Sequence, residues 1–489
     1  MRELVFVNSP FIRKNHLDSE EQEFFDVYFE KTKKMLNEEQ QSQYEKYLSK
    51  SVNLSSGMSV PIYDLPAPPL WISSLSPVAK DAGYSPNVLD LTYLSFVEHA
   101  LDNVGEKIHD TKGDIFLFSS FTNNYHIVEK IAQHIKKSNP DAINIIGGHH
   151  ASFMADNILG KTFDIVVRGE GEKTVEELLR ALEWDRSRLN TIDGISYFAQ
   201  NTIHHNADRK LIENLDSLPM PDYDILPNTY KDIFSGRIFA SRGCPMKCSF
   251  CAESLWSKNY PRYRSVDRVM EEIELMKEKL NIRDLWINDE TFTSKKEYVT
   301  AICDSIPETG LSWSCQTRAD FVNEKTLSKM KNSGCDAVFF GAESADQNIL
   351  DINNKKLDVR KITDACSLAK SVNMPVATNW LVGLPGESRE SAIKTIEYAE
   401  KLILKGLTNL VDYYICAPYP STDIYRRPEH YKVKINSSDF SKYREDTVSV
   451  MDTEYLDAAS IHKLWKYGLS TFASAMKSVE NVPNSPNVP

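Results

Sequence analysis

Three cysteines crowd into eight residues of the segment Ser241-Arg242-Gly243-Cys244-Pro245-Met246-Lys247-Cys248-Ser249-Phe250-Cys251. Thiolates are the ligands of iron–sulfur clusters, and a loop that gathers three sulfurs can hold three corners of a [4Fe–4S] cube. The next cysteine is Cys303, so one iron of such a cube stays open to a substrate or cofactor. Structural zinc would want a fourth protein ligand, and no Cys or His follows at finger-like spacing. Cys303, Cys315, Cys335, Cys366 and Cys416 sit singly in apolar strand or helix patterns and read as buried core thiols. Cys416 stands apart because it lies near a strand carboxyl end that faces the expected cavity.

Such a loop needs a scaffold, and the pattern around it is an alternation of strands and helices. From Arg237 to about 420 the candidate strands are Ile238–Ser241, Asp284–Ile287, Ser312–Gln316, Ala337–Phe340, Val376–Val382 and Leu410–Cys416. Helical runs lie between them, the first with Ser265 as its N-cap. Six βα units imply a partial TIM-type (β/α)6 barrel over 233–425, with its chemistry at the strand carboxyl ends. A front alternating series, with strands at Asn87–Leu91, Asp114–Ser119, Ala142–Ile146 and Phe163–Val167, implies a doubly wound, Rossmann-like α/β domain over 1–185. That domain carries a helical insertion at about 18–52 and a proline-rich connector at Pro61–Pro69. Residues 186–232 read as a linker containing a hairpin. Residues 426–489 read as a small, less regular C-terminal extension ending in a disordered tail from Asn481.

Bulk properties narrow the classes. A chain of 489 residues with 41% hydrophobic and 26% charged residues suits two or three globular domains. A net charge of −12 leaves no basic stripe for nucleic acid, and no run of about 18 apolar residues is present to span a membrane. The first residues read as a strand and not as a signal peptide, and eight cysteines in such a chain point to reduced thiols and a cytoplasmic setting.

The Cys-x3-Cys-x2-Cys spacing, with aromatic Phe250 before the last cysteine, resembles the radical S-adenosylmethionine (radical SAM) superfamily. In that family the open iron chelates the amino and carboxylate groups of SAM, and an electron from the cluster cleaves the sulfonium to give a 5′-deoxyadenosyl radical. Further family marks fall at strand ends: Asn288-Asp289-Glu290-Thr291-Phe292, Gln316-Thr317-Arg318-Ala319-Asp320, Gly341-Ala342-Glu343-Ser344 and Gly383-Leu384-Pro385-Gly386-Glu387. The resemblance implies a SAM site of Phe250, Asp289, Glu290, Arg318, Glu343, Ser344 and Gly383. Asp289 and Glu290 would meet the amino group, Arg318 the carboxylate, and Glu343 or Ser344 the ribose or methionine end. Each acid has the alternative of a structural strand-end cap, and the Gly383 turn either lets the backbone approach adenine or is simply a tight turn.

The two-domain plan resembles the cobalamin-dependent members of this superfamily over about 1–420. The residues that carry it are Phe118-Ser119-Ser120-Phe121-Thr122, Ile146-Gly147-Gly148-His149-His150 and Val167-Arg168-Gly169-Glu170-Gly171-Glu172. The implied cobalamin contacts are Ser119, Ser120, Thr122, Gly147, Gly148, His149, Gly169, Glu170 and Gly171. None of the eleven histidines follows an Asp by two positions, so the Asp-x-His-x-x-Gly cobalt ligand is missing, and His149 and His150 read as loop or corrin-edge residues. The expected cofactors are a [4Fe–4S] cluster, SAM and cobalamin. The expected activity is methylation of an unactivated carbon of a small-molecule substrate, fed by an external electron donor such as flavodoxin or ferredoxin. A non-methylating cyclase or oxidative rearrangement enzyme, a sensor without turnover, and a front domain that has lost its cobalamin are the alternatives. Methylthiotransferases carry a second cysteine trio in front, and residues 1–243 hold no cysteine.

Overall fold

Short runs of β-branched and aromatic residues bounded by turns form the strands of the computed structural model, and the longer runs of 3.6-residue period form its helices. The structure describes residues 2–9, 51–53, 59–61, 68–92, 108, 111–233 and 235–480. These fall into two compact units, one of the described residues up to 237 with 262–282, the other of 238–261 with 283–480. Of the helical insertion expected at about 18–52, residues 18–50 lie outside the described residues, as does the tail expected from 481. Ser51–Asn53 is a short strand paired antiparallel with Ser59–Pro61.

In the first unit the chain runs β1 (Leu4–Asn8), α1 (Leu70–Asp81), β2 (Asn87–Asp90), β3 (Ile115–Ser119), α2 (Tyr125–Ser138), β4 (Ile143–Gly147), α3 (Gly148–Phe153), β5 (Ile165–Val167), α4 (Glu172–Trp184), β6 (Ile195–Ala199) and β7 (Thr202–His205). The sheet order is β2-β1-β3-β4-β5-β6-β7, parallel through β5. Strand order reverses beside β1, which is where doubly wound sheets open a ligand crevice at their carboxyl ends. Ile127, Val128, Ile131 and Ile135 of α2 and Val175, Leu178, Leu179 and Leu182 of α4 are buried, each side chain contributing roughly 1.5–3 kcal/mol. The hairpin expected within a linker has a structural task instead. β6 pairs antiparallel with β5, and β7 with β6, extending the sheet by two strands.

The second sheet runs β8 (Ser235–Ile238), β9 (Asp284–Ile287), β10 (Ser312–Thr317), β11 (Cys335–Glu343), β12 (Val376–Val382) and β13 (Leu410–Ile415), in that order. β9 through β13 are parallel. Spatial order equal to chain order, with a helix in every crossover, is the topology of a partial (β/α) barrel and sets all the strand carboxyl ends on one rim. The crossovers carry α5 (Val266–Leu280), α6 (Lys296–Ser305), α7 (Glu324–Asn332), α8 (Arg360–Ser371) and α9 (Arg389–Leu404), of which α5 is grouped with the first unit. Ser265 caps α5 by accepting from Arg268 N at 3.3 Å. β8 ends three residues before the expected strand does, because Asp289 holds Ala240 N and Ser241 N out of the sheet ladder. The C-terminal part is more regular than expected. α10 (Ala458–Glu480) is a 23-residue helix packed on α9 and β13, burying Ile461, Leu464, Trp465, Leu469, Phe472 and Met476. Among the described residues no helix is long and apolar enough to cross a membrane.

Candidate functional site

The cysteine loop leaves β8 at the carboxyl rim of the second sheet. Gly243 has φ +94°, and a Cβ there would sit 2.8 Å from Tyr260 O, so the loop closes only around glycine. Asp289, just past β9, is fully buried. Its Oδ1 accepts from Ala240 N (2.7 Å) and Ser241 N (3.0 Å), and its Oδ2 accepts from Ser241 Oγ (2.5 Å). Glu290 Oε2 accepts from Gly243 N at 3.0 Å, and burial, helped by the charge of Glu253, pushes its carboxyl up to about 8. Thr291 Oγ1 lies 3.3 Å from Cys244 Sγ. The two acids expected at the SAM amino group thus hold the stem of the cysteine loop.

All eight cysteines are unbridged, with Cys248 buried and Cys244 and Cys251 half-buried. Cys251 N donates to Cys248 O at 3.2 Å, turning the loop back on itself. Burial, with the neighbouring Cys248, pushes the Cys251 thiol up to about 12. Burial also raises Cys248, while Lys355 and Arg318 pull it down and Glu343 and Cys244 push it up. Among the described residues no three His, Cys, Asp or Glu side chains are placed to hold a single metal ion. A cube asks for something different, since each thiolate meets its own iron. Three free thiols in one eight-residue loop, with no fourth cysteine in that loop, fit that donor set, and deprotonation would accompany metal binding.

The other expected SAM residues share this rim. Arg318, directly after β10, is buried in a bidentate pair with Asp320 (both bonds 2.9 Å) and donates to Lys356 O. Glu343 ends β11 at φ +65°, beside a register shift against β12, and accepts from Lys355 Nζ at 2.6 Å. Ser344 is fully buried, with its Oγ 3.2 Å from Thr395 Oγ1. Gly383 opens the turn after β12 at φ +85°, and a Cβ there would strike Ile461 of α10 at 2.8 Å. Phe250 packs at the edge of an apolar cluster containing Leu384, Cys416 and Ile424. Cys416, just after β13, is buried.

Sequence reasoning passed over three residues here. Asn353 Oδ1 accepts from Ser249 Oγ (2.8 Å), and its Nδ2 donates to Ile349 O (2.9 Å) and Pro385 O (3.0 Å). Asn354 Nδ2 donates to Lys247 O (2.7 Å). Lys355 is buried, and although burial pulls its ammonium down, the charge of Glu343 leaves it above its ordinary value. Asn353-Asn354-Lys355-Lys356 has the composition of a solvated turn. Its paired asparagines could have signalled left-handed backbone, which Asn354 adopts at φ +53°. Glu387 was quoted only as part of a turn. It is fully buried, with Oε2 accepting from Gly383 N at 2.6 Å, and burial pushes it up to about 8.

In the first unit the expected cobalamin residues line the carboxyl edge of β3, β4 and β5. Gly148 has φ +91°, and a Cβ there would meet Ser120 O at 2.7 Å and Ser119 Oγ at 2.9 Å. Gly147 precedes it, and its O accepts from Ser120 N at 3.0 Å. Ser120 Oγ is fully buried with no hydrogen-bond partner among the described residues, an arrangement that fits a polar group brought by a ligand. Gly169 (φ +75°) has nothing within 4 Å of its Cβ position, which leaves room for close approach, and its N donates to Ser152 Oγ. Gly171 leads into α4. His149 stacks on Phe121 with ring centroids 5.5 Å apart. His150 lies inside, 3.2 Å from Thr122 Oγ1, and burial pulls its imidazole down to about 3. Glu170 is engaged elsewhere in the unit. Its carboxylate takes Arg262 Nη1 at 2.8 and 3.0 Å and Ile212 N at 2.7 Å.

Comparison with known proteins places these two edges in context. The radical SAM superfamily model matches residues 238–399, and the B12 binding domain model matches residues 63–179. An uncharacterized methyltransferase of Pyrococcus horikoshii is 32% identical over 368 residues, covering 73% of this chain and 78% of that protein. The anaerobic magnesium-protoporphyrin IX monomethyl ester cyclase of Rubrivivax gelatinosus is 28% identical, covering 81% of this chain and 71% of its own. Among solved structures, the radical S-adenosylmethionine methyltransferase TsrM of Kitasatospora setae, with cobalamin and a [4Fe–4S] cluster bound, superposes with a TM-score of 0.67. The superposition covers 100% of this chain and 92% of that one. At 14% identity that likeness speaks to the fold alone.

Proposed function

Because the chain belongs to the radical SAM superfamily and carries a B12-binding domain ahead of its radical SAM core, we propose that it is a cobalamin-dependent C-methyltransferase. Its substrate on this reading is a small molecule of a natural-product or cofactor pathway, methylated at an unactivated carbon. The observation that carries the reading is the presence in one chain of two edges: a three-cysteine loop on the rim of one parallel sheet, and a glycine-lined carboxyl edge with an orphaned buried hydroxyl on the other. When bound, the cluster and SAM supply a hydrogen-abstracting radical and cobalamin carries the methyl group.

The chain's own residues bind and orient. Cys244, Cys248 and Cys251 would hold the cluster, and Asp289 and Glu290 fix the stem of their loop through backbone N–H groups. Arg318, Glu343, Ser344 and the Gly383 turn present the rim on which SAM would lie, with Phe250 as an apolar wall. Ser119, Ser120, Thr122, Gly147, Gly148, His149, Gly169 and Gly171 would line the cobalamin site, with Glu170 bracing the last loop through Arg262. The domain assignment that goes with this is 1–185 for cobalamin, 186–232 as a connector whose 195–205 hairpin belongs to the first sheet, 233–425 for the radical SAM core and 426–489 as extension. A radical SAM enzyme needs a reductant. Flavodoxin or ferredoxin and a cytoplasmic setting suit this one.

The similarity to a cyclase favours a second reading, radical chemistry without methyl transfer. Product analysis separates the two. A methyltransferase of this type consumes two SAM molecules per turnover, so S-adenosylhomocysteine and 5′-deoxyadenosine appear in near-equal amounts, and a deuterated SAM methyl group reaches the product. 5′-Deoxyadenosine with little S-adenosylhomocysteine and no label in the product would select the cyclase reading.

A further inference from the structure

The turn over residues 353–355 touches the cysteine loop at three places. Asn353 holds Ser249 through side chain and backbone, with Ser249 N donating to Asn353 O at 3.0 Å. Asn354 holds the carbonyl of Lys247. Between these anchors lies Cys248, and the next residue of the turn, Lys355, is carried inward. Its side chain is 6% exposed, its Nζ is 2.6 Å from Glu343 Oε1, and it lies over the Phe250 ring at 5.9 Å from the centroid. Burying a lysine costs free energy, and a lysine anchored this way persists where its charge is matched or used. Here it is matched by Glu343 on one side, while the anchors of its neighbours on Ser249 and Lys247 hold its turn against the stretch of loop that carries Cys248.

We infer that the 353–355 turn is a strap that fixes the cysteine loop, and that the buried pair Lys355–Glu343 sets the reduction potential of the cluster held there. The inference rests on the reading that Cys244, Cys248 and Cys251 hold a [4Fe–4S] cluster. Reduction adds one negative charge to the cluster. A buried cation beside one of its thiolates favours the reduced form, and a buried anion disfavours it. In a site shielded from water such a charge acts more strongly than at the surface. The two partners therefore pull the potential in opposite directions, with Lys355 as a positioning and tuning residue for the cluster.

The experiment is a potentiometric titration of the reconstituted full-length chain without SAM, read by the EPR signal of the reduced cluster, with iron and sulfide measured on each sample. Lys355→Met is expected to make reduction about tenfold less favourable, a fall of about 59 mV for one electron. Glu343→Gln is expected to shift it upward by a similar amount, and Lys355→Arg to stay near the wild type. A Lys355→Met protein with full iron content and wild-type potential overturns the inference, as does a shift of the same sign in Lys355→Met and Glu343→Gln. If Lys355→Met fails to take up iron, Glu343→Gln decides alone, an unchanged potential counting against the inference. A wild-type chain that binds no four-iron cluster would instead refute the cluster reading itself, and the iron analysis distinguishes that outcome.

Discussion

Glu387 should make the stability of the second unit depend on pH in a window where ordinary carboxylates do not titrate. Its carboxyl is fully buried, Oε2 accepts from Gly383 N, and Oε1 has no hydrogen-bond partner among the described residues. Burial raises it from 4.5 to about 8. Below about 4.5 the carboxyl is protonated whether the chain is folded or not. Between about 4.5 and about 8 the folded chain keeps a proton that the unfolded chain has released, so stability falls as pH rises. Above about 8 the folded chain must bury the charge, and that contribution is gone. The whole shift corresponds to about 5 kcal/mol at about 1.4 kcal/mol per unit, and the part lost between pH 6 and pH 8.5 is about 2–3 kcal/mol. Glu387→Gln keeps the shape and an acceptor for Gly383 N but cannot ionise, so its stability should fall by about 2–3 kcal/mol less than that of the wild type, the decline due to Glu290, also raised to about 8, remaining in both. The assay is anaerobic urea unfolding at pH 6 and pH 8.5, followed by the fluorescence of a unit whose Trp313 and Trp380 are fully buried. Wild type and variant losing stability in parallel across this window would refute the reasoning.

The Cys244/Cys248/Cys251→Ala triple variant should lose its iron and broad visible absorption, whereas single Ala or Ser replacements of Cys303, Cys315, Cys335, Cys366 and Cys416 should keep the iron content of the wild type. Gly148→Ala should cost about 2–5 kcal/mol, from a left-handed backbone and a 2.7 Å approach to Ser120 O, and should lower corrinoid uptake after reconstitution. Gly169→Ala, with open space at its Cβ position, should cost only about 1–2 kcal/mol, read by urea unfolding followed by far-UV circular dichroism. Asn353→Ala strips buried partners from Ser249 and Pro385 and should cost about 2–4 kcal/mol, measurable by denaturant unfolding of the metal-free chain.

The expected SAM residues show how an acid at a strand end can be recognised in sequence while its task stays hidden. Asp289, Arg318 and Glu343 all occur on the rim where the alternating pattern put them. In the structure each has a protein partner: backbone N–H groups for Asp289, Asp320 for Arg318, and Lys355 for Glu343. Asp289 holds the backbone that follows the first strand of the sheet, and a ligand at Arg318 or Glu343 would share or displace an existing ion pair. That sharing is a way to hold charged groups ready without leaving them unpaired in a shielded site.

Contiguous stretches of the sequence determined what depends on spacing alone. Strands Asp284–Ile287 and Val376–Val382 lie where the apolar runs put them, Ser265 caps its helix, and the three-cysteine loop follows the first strand of its sheet. Each of these is written in the order of neighbouring residues, through a period of two, a period of 3.6, or the reach of a short loop. The tertiary structure alone decided which groups meet across long separations. Arg262 finds Glu170 from 92 positions away, Asn354 reaches Lys247 from 107, and Asp289 closes on Ala240 from 49. It also decided that the 195–205 hairpin extends the first sheet, that Ala458–Glu480 packs as one helix on α9 and β13, and that Lys355 is buried in a segment that reads as surface. No local period encodes such pairings, because burial and hydrogen bonding are settled by whichever elements the completed fold lays against each residue.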